Sequence, residues 1–429
     1  MNRLLLPKRR LSTTNRRRLV ILGTGWGGYS LLKNVDRKKY DVTVVSPRNH
    51  FLFTPLLAST TVGTLEFRSI IEPIRTNAPF RDERDFHLSE AIRLEPKART
   101  VWCRSVIEPS NLYPIAYDNL VIAVGAVPNS FGVPGVEKNA FFLKELADAR
   151  AIRNQIIVNF ELAVQPGRTK EQVRQLLHFV IVGGGPTGVE FGAELHDFIK
   201  QDIAKLFATE MDDVKVSLVE ASQILPSFDK RLQRFAEKRI QQREKMELLR
   251  AAVTDVRPKE IVLSDGSVVP CGLTVWAAGI SARPFTLSLD LPKTKQSQIL
   301  VDNCLHVKGD SSGSIFALGD CASVEGDVMP PTAQVAERQG RYLAKALSSY
   351  ADNKESHVVP FKFRNSGMLA YVGGWEAVTD VPHIKFGGFH SWLLWRSAYL
   401  TRLGSWRLRL QVPVDWFKSF FYGRDISRF

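Results

Sequence analysis

The chain has 429 residues, of which 44% are hydrophobic and 24% are charged. This composition is typical of a globular protein, excludes low-complexity and disulfide-scaffold classes, and provides chain for about two or three domains. The formal net charge of +14 favours an anionic partner, which can be a nucleic acid, an anionic lipid surface or a phosphorylated small molecule. No apolar run reaches the ~18–20 residues that a membrane-spanning helix needs, so we expect no spanning segment.

The first 18 residues are rich in arginine, serine and threonine and contain no acidic residue. This composition is typical of a mitochondrial transit peptide, and we interpret residues 1–18 as such a segment. A disordered basic arm that binds nucleic acid is the alternative. No recognisable nucleic-acid-binding module follows it, so we expect no nucleic-acid partner.

A glycine-rich turn follows the first apolar strand. The run that ends at Leu22 leads into Gly23–Gly28, which fits G-x-G-x-x-G and precedes a helix-like pattern. In such a turn the first glycine allows the bend, the second lets the backbone approach a pyrophosphate, and the third lets the helix pack on its strand. The helix N-terminus then offers unpaired N–H groups to the phosphates. An ordinary glycine turn is the alternative for a single match.

The next strand, predicted over residues 40–45, ends without an acidic residue. Ser46 and Arg48 stand where a carboxylate usually binds a ribose 2′-hydroxyl, so the ribose contact must be made differently here. The segment 51–57 that follows is too apolar for an exposed loop and is expected to line a pocket or to pack in the core. Another buried strand runs into a turn at Gly125.

A second turn of the same kind lies at Gly183–Gly188, again between an apolar strand and a helix-like pattern. The strand predicted over residues 214–219 ends in Glu220, with no arginine beside it. A carboxylate there favours a free 2′-hydroxyl and hence NADH over NADPH, although a solvated glutamate is the alternative. Ala278 and Gly279 then repeat the strand-to-glycine pattern. Two such turns in matching contexts predict two dinucleotides.

A short apolar strand further along ends in Gly319 and Asp320. A carboxylate at that point suits a polyhydroxyl chain such as ribityl, because the glycine allows close approach. A predicted helix follows, with prolines before its first turn and with Ala333 and Gln334 at its start. Its free N–H groups would face a ligand.

The four cysteines are scattered and form no C-x-x-C pair, which argues against a disulfide framework or a dithiol relay. We expect inert buried thiols. No metal site is predicted.

The last fifty residues carry an aromatic stripe. No acidic residue occurs from His390 to Val414, and arginines flank the stripe on both sides. This pattern favours a helix that lies in a membrane interface; core packing is the alternative, and Gly404 weakens an uninterrupted helix. Placed on one helix over residues 392–410, the stripe contains Trp392, Trp395, Tyr399, Leu403, Trp406 and Leu410.

These motifs resemble those of the type II, or alternative, NADH:ubiquinone oxidoreductases. The resemblance spans residues 19–429 and implies an α/β fold with two Rossmann-type dinucleotide-binding domains and a C-terminal membrane-associating region. The segments that carry it are 22–28, 46–48, 51–57, 182–190, 317–320, 330–336 and 423–429. The expected domains are an FAD-binding domain over 19–145 and 286–355, an NADH-binding domain over 146–285, and a membrane-surface, quinone-site and dimerisation region over 356–429.

The resemblance also implies the site residues, with non-covalent FAD at the first turn and NADH at the second. Glu190 and Gln334 are the expected catalytic residues. FAD contacts are expected from Gly23, Gly25, Trp26, Gly28, Ser46, Arg48, Thr54, Gly125, Gly319, Asp320, Ala333 and Gln334. NADH contacts are expected from Gly183, Gly185, Pro186, Thr187, Gly188, Glu190, Glu220, Ala278 and Gly279. The quinone would be bordered by Gln334, Arg338, Trp395 and Tyr399.

The chain departs from the family pattern at position 338. Arg338 occupies the position where family members often carry a second glutamine, and its planar cation can still meet a quinone oxygen. No D-x-D-x-D-G insertion interrupts the second half, so regulation by a calcium loop is not expected.

The implied activity is transfer of two electrons from NADH through FAD to ubiquinone in the respiratory chain, without proton pumping. The implied location is the mitochondrial inner membrane, bound peripherally. The matrix side is favoured because no hydrophobic sorting segment follows the basic N-terminus, and a homodimer is expected. Three alternatives are a sulfide:quinone oxidoreductase, an apoptosis-inducing-factor-like NAD(P)H flavin reductase and a basic nucleic-acid-binding protein.

Overall fold

The computed structural model describes residues 16–77, 80 and 82–428. Residues 1–15 of the predicted transit segment lie outside these ranges. The strands are β1 Arg17–Leu22, β2 Tyr40–Ser46, β3 His50–Leu52, β4 Ile71–Pro73, β5 Phe86–Glu95, β6 Thr100–Ser105, β7 Leu112–Ala116, β8 Asn119–Ile122, β9 Ala126–Pro128, β10 Phe141–Phe142, β11 His178–Val182, β12 Lys215–Val219, β13 Met246–Leu249, β14 Val253–Arg257, β15 Glu260–Leu263, β16 Val268–Pro270, β17 Leu273–Trp276, β18 Ile280–Ala282, β19 Ile299–Val301, β20 Ile315–Ala317, β21 Ala322–Val324, β22 Met368–Gly373, β23 Glu376–Val381 and β24 Ile384–Gly388.

The α-helices follow the same chain order. They are α1 Trp26–Asn34, α2 Leu57–Thr61, α3 Ile74–Asn77, α4 Val136–Asn139, α5 Leu146–Ala163, α6 Lys170–Leu176, α7 Pro186–Phe198, α8 Ala204–Leu206, α9 Lys230–Gln241, α10 Pro284–Ser288, α11 Ala333–Ala351, α12 Phe389–Arg402 and α13 Trp406–Tyr422. A π-helical turn, Ile199–Ile203, continues α7.

The chain folds into two compact units. The first contains the residues up to Phe51, Pro73–Ala126 and Ser281–Phe363, and the second contains Leu52–Glu72, Val127–Ile280 and Arg364–Phe429. The cofactor assigned to each predicted domain, and the predicted boundaries, stay predictions.

The first unit is built on a seven-stranded sheet with the order β20-β8-β1-β2-β5-β6-β7. The strands from β20 to β5 are parallel, and β6 and β7 continue the sheet antiparallel. Residues 19–22 of β1 are fully buried because apolar residues fill both faces of this strand. Helix α11 crosses α1 closely at Gly340, where a Cβ would meet the Gly27 carbonyl.

The second unit contains a five-stranded parallel sheet with the order β10-β17-β11-β12-β13. Every residue of β11 and β17 is buried, as expected of central strands covered on both faces. Helix α7 follows β11 directly. The prediction of an α/β fold with two Rossmann-type strand–turn–helix units is confirmed.

The C-terminal part of the second unit contains the antiparallel sheet β22-β23-β24 and the helices α12 and α13. The prediction of one helix over residues 392–410 is wrong, because the helix is interrupted between Arg402 and Trp406. Arg409 donates from Nε to the Leu403 carbonyl at 3.0 Å and from Nη2 to the Thr401 carbonyl at 2.9 Å, which satisfies the last carbonyls of α12. Ser405 then caps α13 by accepting the Leu408 N–H at 3.4 Å.

The break divides the predicted aromatic stripe. Trp392, Trp395 and Leu403 are buried, whereas Trp406 and Leu410 are 76% and 68% exposed. The part of the stripe on α12 therefore packs in the core, whereas the part on α13 is exposed, and further exposed apolar side chains follow along α13. No helix in the described part of the chain is long and apolar enough to cross a membrane.

The arginines that were expected to flank the stripe are mostly engaged with protein groups. Arg396 lies between the Trp392 and Trp416 rings, 4.2 and 4.4 Å from their centroids. Arg407 donates to the Ile71 carbonyl at 3.0 Å, and Arg409 holds the end of α12. Arg396 and Arg409 therefore stabilise the α12–α13 pair, whereas Arg407 links α13 to β4.

Candidate functional site

The first glycine turn has the geometry of a phosphate cradle. Gly23 adopts φ +103°, a conformation that favours glycine, and a Cβ on Gly28 would collide with the Gly23 carbonyl. Gly25 is the N-cap of α1, and the nearest atom to a Cβ placed there is the Arg48 guanidinium at 4.0 Å. The N–H groups at the start of α1 therefore have open space in front of them, which fits the pyrophosphate of a dinucleotide such as FAD.

At the end of β2, Ser46 and Arg48 occupy the place of the usual ribose-binding carboxylate. Ser46 is buried, its Oγ lies 2.8 Å from Thr24 Oγ1, and it accepts the Arg48 N–H at 3.2 Å. The serine therefore fixes the turn, while Arg48 brings a cation to the cradle. Trp26 begins α1 with its ring edge-on to Phe51 at 5.0 Å.

Two further turns of the first unit lie at strand ends. Gly125 has φ +67° and open space around it, and Arg283 donates to the preceding Val124 carbonyl at 2.7 Å. Gly319 has φ +74° and donates its N–H to Gln339 at 2.8 Å. Gln339 thereby anchors the Gly319–Asp320 turn to α11, a role that sequence reasoning missed because the side chain carries no motif.

Helix α11 starts beside this turn. Thr332 caps it by accepting the Val335 N–H at 3.4 Å, so Ala333 and Gln334 form its first turn as expected. A small cleft is lined by Asp320, Pro331 and Thr332 together. Arg338 lies one turn further on with its guanidinium over the Phe363 ring at 5.5 Å, so this departure from the family pattern is held by a cation–π contact.

The second glycine turn repeats the first. Gly183 has φ +113°, a Cβ on Gly188 would collide with the Gly183 carbonyl, and nothing lies within 4 Å of a Cβ on Gly185. Pro186 and Thr187 are exposed at the start of α7. The second cradle therefore has the same close packing and the same open helix N-terminus as the first.

The Glu220 carboxylate lies at this cradle. Its Oε2 accepts the Gly184 N–H at 2.7 Å, and its Oε1 accepts from the Ser222 N–H and hydroxyl, both at 2.8 Å. Glu220 directly follows β12, and in the structure its carboxylate contacts the glycine turn, as a ribose-binding acid would. The bonds fix the carboxylate while leaving lone pairs for a ribose hydroxyl.

The turn after β17 completes the second cradle. Ala277 donates its N–H to the Val182 carbonyl at 2.8 Å, which places Ala278 beside the end of β11. Gly279 has φ +63°, and a Cβ there would strike the Phe131 ring.

Glu190 is the most unusual group of the second unit. Its carboxyl is buried on α7, and Oε1 accepts the Tyr371 N–H at 3.1 Å and the Trp395 Nε1–H at 3.2 Å. Burial raises the pKa of Glu190 to about 8, while these two neutral donors act in the opposite direction. The group therefore carries a proton at neutral pH and can release it in the mildly alkaline range.

Of the four predicted quinone-site residues, Trp395 and Tyr399 lie one turn apart on α12 and their rings are in contact. Trp395 and Tyr399 meet edge to face at 5.0 Å, and Phe53 meets Tyr399 at 6.1 Å. Burial raises the pKa of the Tyr399 phenol, which keeps it protonated. Thr54 opens the adjacent turn of the second unit, and Gln334 belongs to the first unit.

Tyr371 is itself held by a buried ion pair that sequence reasoning missed. Its phenol donates to Asp197 at 2.7 Å, and the Gly374 N–H donates to the same carboxylate at 3.0 Å. Arg243 pairs with Asp197 at 2.9 Å. Burial alone would raise the pKa of Asp197, but the hydrogen bonds and this cation outweigh it and hold the pKa below its ordinary value.

A second buried carboxylate of α7, Glu194, is linked to the C-terminal tail. It accepts the Ser59 hydroxyl at 2.6 Å and the Thr64 hydroxyl at 3.0 Å. Arg424 lies 3.8 Å from it, donates to Thr64 Oγ1 at 2.8 Å, and pairs with the buried Asp202 at 2.7 Å. The tail is therefore part of the scaffold around α7.

The cysteines lack the properties of redox centres. Cys103, Cys271 and Cys321 are buried, and burial raises their pKa values to about 12, 11 and 11. Cys304 is half-buried. A thiol with a raised pKa is a poor nucleophile at neutral pH, so these groups fit structural packing.

Comparison with known proteins identifies the family. The family described as pyridine nucleotide-disulphide oxidoreductase matches residues 17–340, and the NDH2 C-terminal domain matches residues 366–425. A probable NADH dehydrogenase of Dictyostelium discoideum is 44% identical over 416 residues, which cover 96% of this chain and 91% of that protein. The mitochondrial internal alternative NAD(P)H-ubiquinone oxidoreductase A1 of Arabidopsis thaliana is 42% identical, covering 96% of this chain and 85% of that protein.

A solved structure agrees with these relatives. NDH2 from Plasmodium falciparum in complex with NADH superposes with a TM-score of 0.90 at 27% identity, covering 96% of this chain and 100% of that chain. The matches extend over both glycine cradles and the C-terminal sheet and helices. The chain therefore belongs to the type II, or alternative, NADH:ubiquinone oxidoreductases.

Proposed function

We propose that this protein binds NADH at the second cradle and FAD at the first, and transfers two electrons from NADH to ubiquinone without pumping protons. The observation that carries the proposal is Glu220, whose carboxylate lies 2.7 Å from the N–H of a glycine in the second cradle. An acid held there selects a ribose with a free 2′-hydroxyl.

The first cradle suits FAD in several independent ways. Gly25 leaves space for a pyrophosphate, Arg48 supplies a cation, and the Gly319 turn carries the Asp320 carboxylate for a polyhydroxyl chain. Ala333 and Gln334 begin α11 beside that turn. When bound, the isoalloxazine supplies two-electron chemistry, and the protein supplies position and electrostatics.

Glu190 supports a role in quinone reduction, which consumes two protons. Its carboxyl is buried, protonated at neutral pH and aligned by Trp395 and Tyr371. Tyr399 adds a buried phenol next to Trp395. We assign Glu190 as the group that holds and releases a proton at its Oε atoms, with Trp395 and Tyr399 bordering the quinone.

A sulfide:quinone oxidoreductase needs thiols that react beside its flavin. The buried cysteines, with their raised pKa values, do not support that chemistry.

The proposed location is the mitochondrial inner membrane, bound peripherally on its matrix side as a homodimer. The mitochondrial relative at 42% identity is an internal enzyme by name, which supports the matrix side. The exposed apolar residues Leu410, Val414, Phe417 and Phe421 recur along one face of α13, which supports contact with a lipid surface.

Purified protein should show a flavin spectrum that NADH bleaches and a short-chain quinone restores. NADH oxidation should depend on added quinone. Replacing Glu220 with alanine should raise the KM for NADH by about tenfold or more while leaving the spectrum and the quinone KM unchanged, because the carboxylate acceptor for the ribose hydroxyl is lost. A colourless protein, or oxidation of sulfide instead of NADH, would overturn the proposal.

Replacing Leu410, Phe417 and Phe421 together with serine should release the protein from liposomes that contain anionic lipid. The three side chains are 58–68% exposed, so their removal costs little packing in the folded chain. Flotation measures the bound fraction. Trp392 and Trp395 are unsuitable targets because both are buried.

The matched control replaces exposed apolar residues elsewhere, namely Ile107, Leu206 and Val328. These serine substitutions should leave flotation unchanged. Equal binding by both triple variants would contradict the assignment of α13 to the lipid surface.

A further inference from the structure

Phe131, in the second unit, has a backbone conformation that its side chain does not favour. It adopts φ +52° and the following Gly132 adopts φ +70°. The Val133 N–H donates to the Ser130 carbonyl at 3.0 Å, which closes a four-residue turn around them. Positive φ at both central residues is typical of a type I′ turn, which prefers Asn-Gly there. Phenylalanine at the first central position is therefore strained, and such strain is concentrated at ligand sites.

The turn that contains Phe131 is fixed to the end of β17. The Asn129 N–H donates to the Gly279 carbonyl at 3.4 Å, and the Asn129 carbonyl accepts the Trp276 Nε1–H at 2.9 Å. Asn129 Oδ1 also accepts the Phe131 N–H at 2.8 Å. The Phe131 ring lies against Gly279, where a Cβ would strike it. Phe131 is nevertheless 62% exposed, so most of the ring is open to a ligand.

The order of the sheet places this ring at one end of the second cradle. Glu220 follows β12, the glycine turn follows β11, Gly279 lies in the turn after β17, and the strand order is β17-β11-β12. A Cβ on Gly183 would lie 2.9 Å from the Ala277 carbonyl carbon, so the turns after β11 and β17 are in close contact. A dinucleotide crosses such a sheet where the strand order reverses, which is between β11 and β17 here.

The two halves of the dinucleotide then have different neighbours. With the adenosine ribose at Glu220 and the pyrophosphate at the glycine turn, the nicotinamide half reaches the end of β17. The group that it meets there is the exposed Phe131 ring on Gly279. An aromatic face is a suitable partner for a flat ring.

We propose that Phe131 contacts the nicotinamide ring of NADH and holds that half of the dinucleotide at the end of β17. This role rests on the proposed binding of NADH at the second cradle. A contact between two flat rings contributes about three- to tenfold in affinity.

The test compares two nucleotides that share the adenosine half, added to the full-length, flavin-loaded protein. NAD⁺ contains the nicotinamide ring and does not reduce the flavin, whereas ADP-ribose lacks that ring. Isothermal titration calorimetry of Phe131→Asn should show that NAD⁺ binds about three- to tenfold more weakly, with the affinity for ADP-ribose unchanged. Phe131→Tyr keeps the aromatic face and should retain the affinity for both nucleotides.

Thermal unfolding separates a binding role from a structural one. Asparagine suits positive φ and Phe131 is mostly exposed, so Phe131→Asn should melt no lower than the unsubstituted protein. His383 is the matched control, because it is also exposed and has φ +72° in the turn between β23 and β24. His383→Asn should leave both nucleotide affinities unchanged.

The contrary outcomes are distinct. Equal weakening of NAD⁺ and ADP-ribose, or a lower melting temperature of Phe131→Asn, would make Phe131 a structural support of the cradle and overturn the proposal. Unchanged binding of NAD⁺ would show that the ring does not touch the nicotinamide. In both cases the unsubstituted protein still binds the two nucleotides, whereas a protein that binds neither would overturn the proposed function as well.

Discussion

Replacing Glu190 with glutamine should lower quinone reductase turnover at pH 7 by about a hundredfold or more, the range that loss of a positioned proton donor produces. Glutamine keeps the acceptor oxygen for Tyr371 and Trp395 but cannot release a proton. In the unsubstituted protein, activity should fall as the pH rises through about 8, because burial raises the pKa of Glu190 to that value. In the variant this pH dependence should vanish. Steady-state kinetics from pH 6 to 10 measure both effects.

The half-reactions separate a proton role from a structural one. Glu190 is also an expected NADH contact, and glutamine keeps an acceptor oxygen there. Flavin reduction by NADH, followed by stopped flow, should therefore change little in Glu190→Gln, whereas reoxidation by quinone should slow strongly. Glu161→Gln, at an exposed glutamate on α5, is the matched control and should leave both steps intact. A variant with a full quinone rate and the same pH profile would remove Glu190 from the reaction.

Stability measurements on Glu190→Gln test whether the variant stays folded. The pKa of Glu190 is higher in the folded chain than in the unfolded one, so its ionisation opposes folding. Stability is therefore lost as the pH rises between the two pKa values, at ~1.4 kcal/mol per unit of pH. Glutamine cannot ionise, and the variant should be at least as stable as the parent above pH 8. Lower stability of the variant there would contradict this account.

The glycine cradles could be predicted from the sequence because their constraints are local. Gly23 and Gly183 need positive φ, and Gly28 and Gly188 lie where a Cβ would strike the preceding turn. Each requirement acts within six residues, so a single segment of sequence contains it. The place of Glu220 could also be predicted, because the second strand of such a unit ends next to the glycine turn.

The support of Glu190 could not be predicted, since its parts are far apart in the chain. Tyr371, Trp395 and Arg243 come together only when β22, α12 and the loop after α9 pack against α7. None of the three stands in a pattern that signals a buried hydrogen bond. Burial, which decides the pKa of Glu190, is likewise a property of tertiary packing and not of local sequence.

The C-terminal helices show where periodicity misled. A 3.6-residue repeat continues through residues 392–410, so one helix was predicted. Arg409 ends α12 by binding its last carbonyls, and Gly404 lies against the buried Glu72. Both contacts are tertiary, and they override the repeat.

Replacing Arg424 with glutamine should destabilise the protein by ~3–5 kcal/mol, because it leaves Glu194 and Asp202 buried without their cation. The Arg424 side chain is only 9% exposed and lies 3.8 Å from Glu194 and 2.7 Å from Asp202. Thermal and denaturant unfolding measure the loss. Arg257→Gln removes exposed ion pairs with Asp255 and Glu260 and should leave the melting temperature unchanged.

A double variant separates the charge of Arg424 from its packing. Burial raises the pKa of Glu194, so without a cation this carboxyl takes up a proton or opposes folding. Glu194→Gln in the Arg424→Gln background should therefore recover part of the lost stability, although glutamine at 194 alone is destabilising because it leaves Arg424 less well paired. Additive losses in the double variant would mean that the two side chains act separately. Coupling between the two substitutions would instead show that the charge of Arg424 in the C-terminal tail stabilises the Glu194 carboxyl on α7, the helix that also carries Glu190.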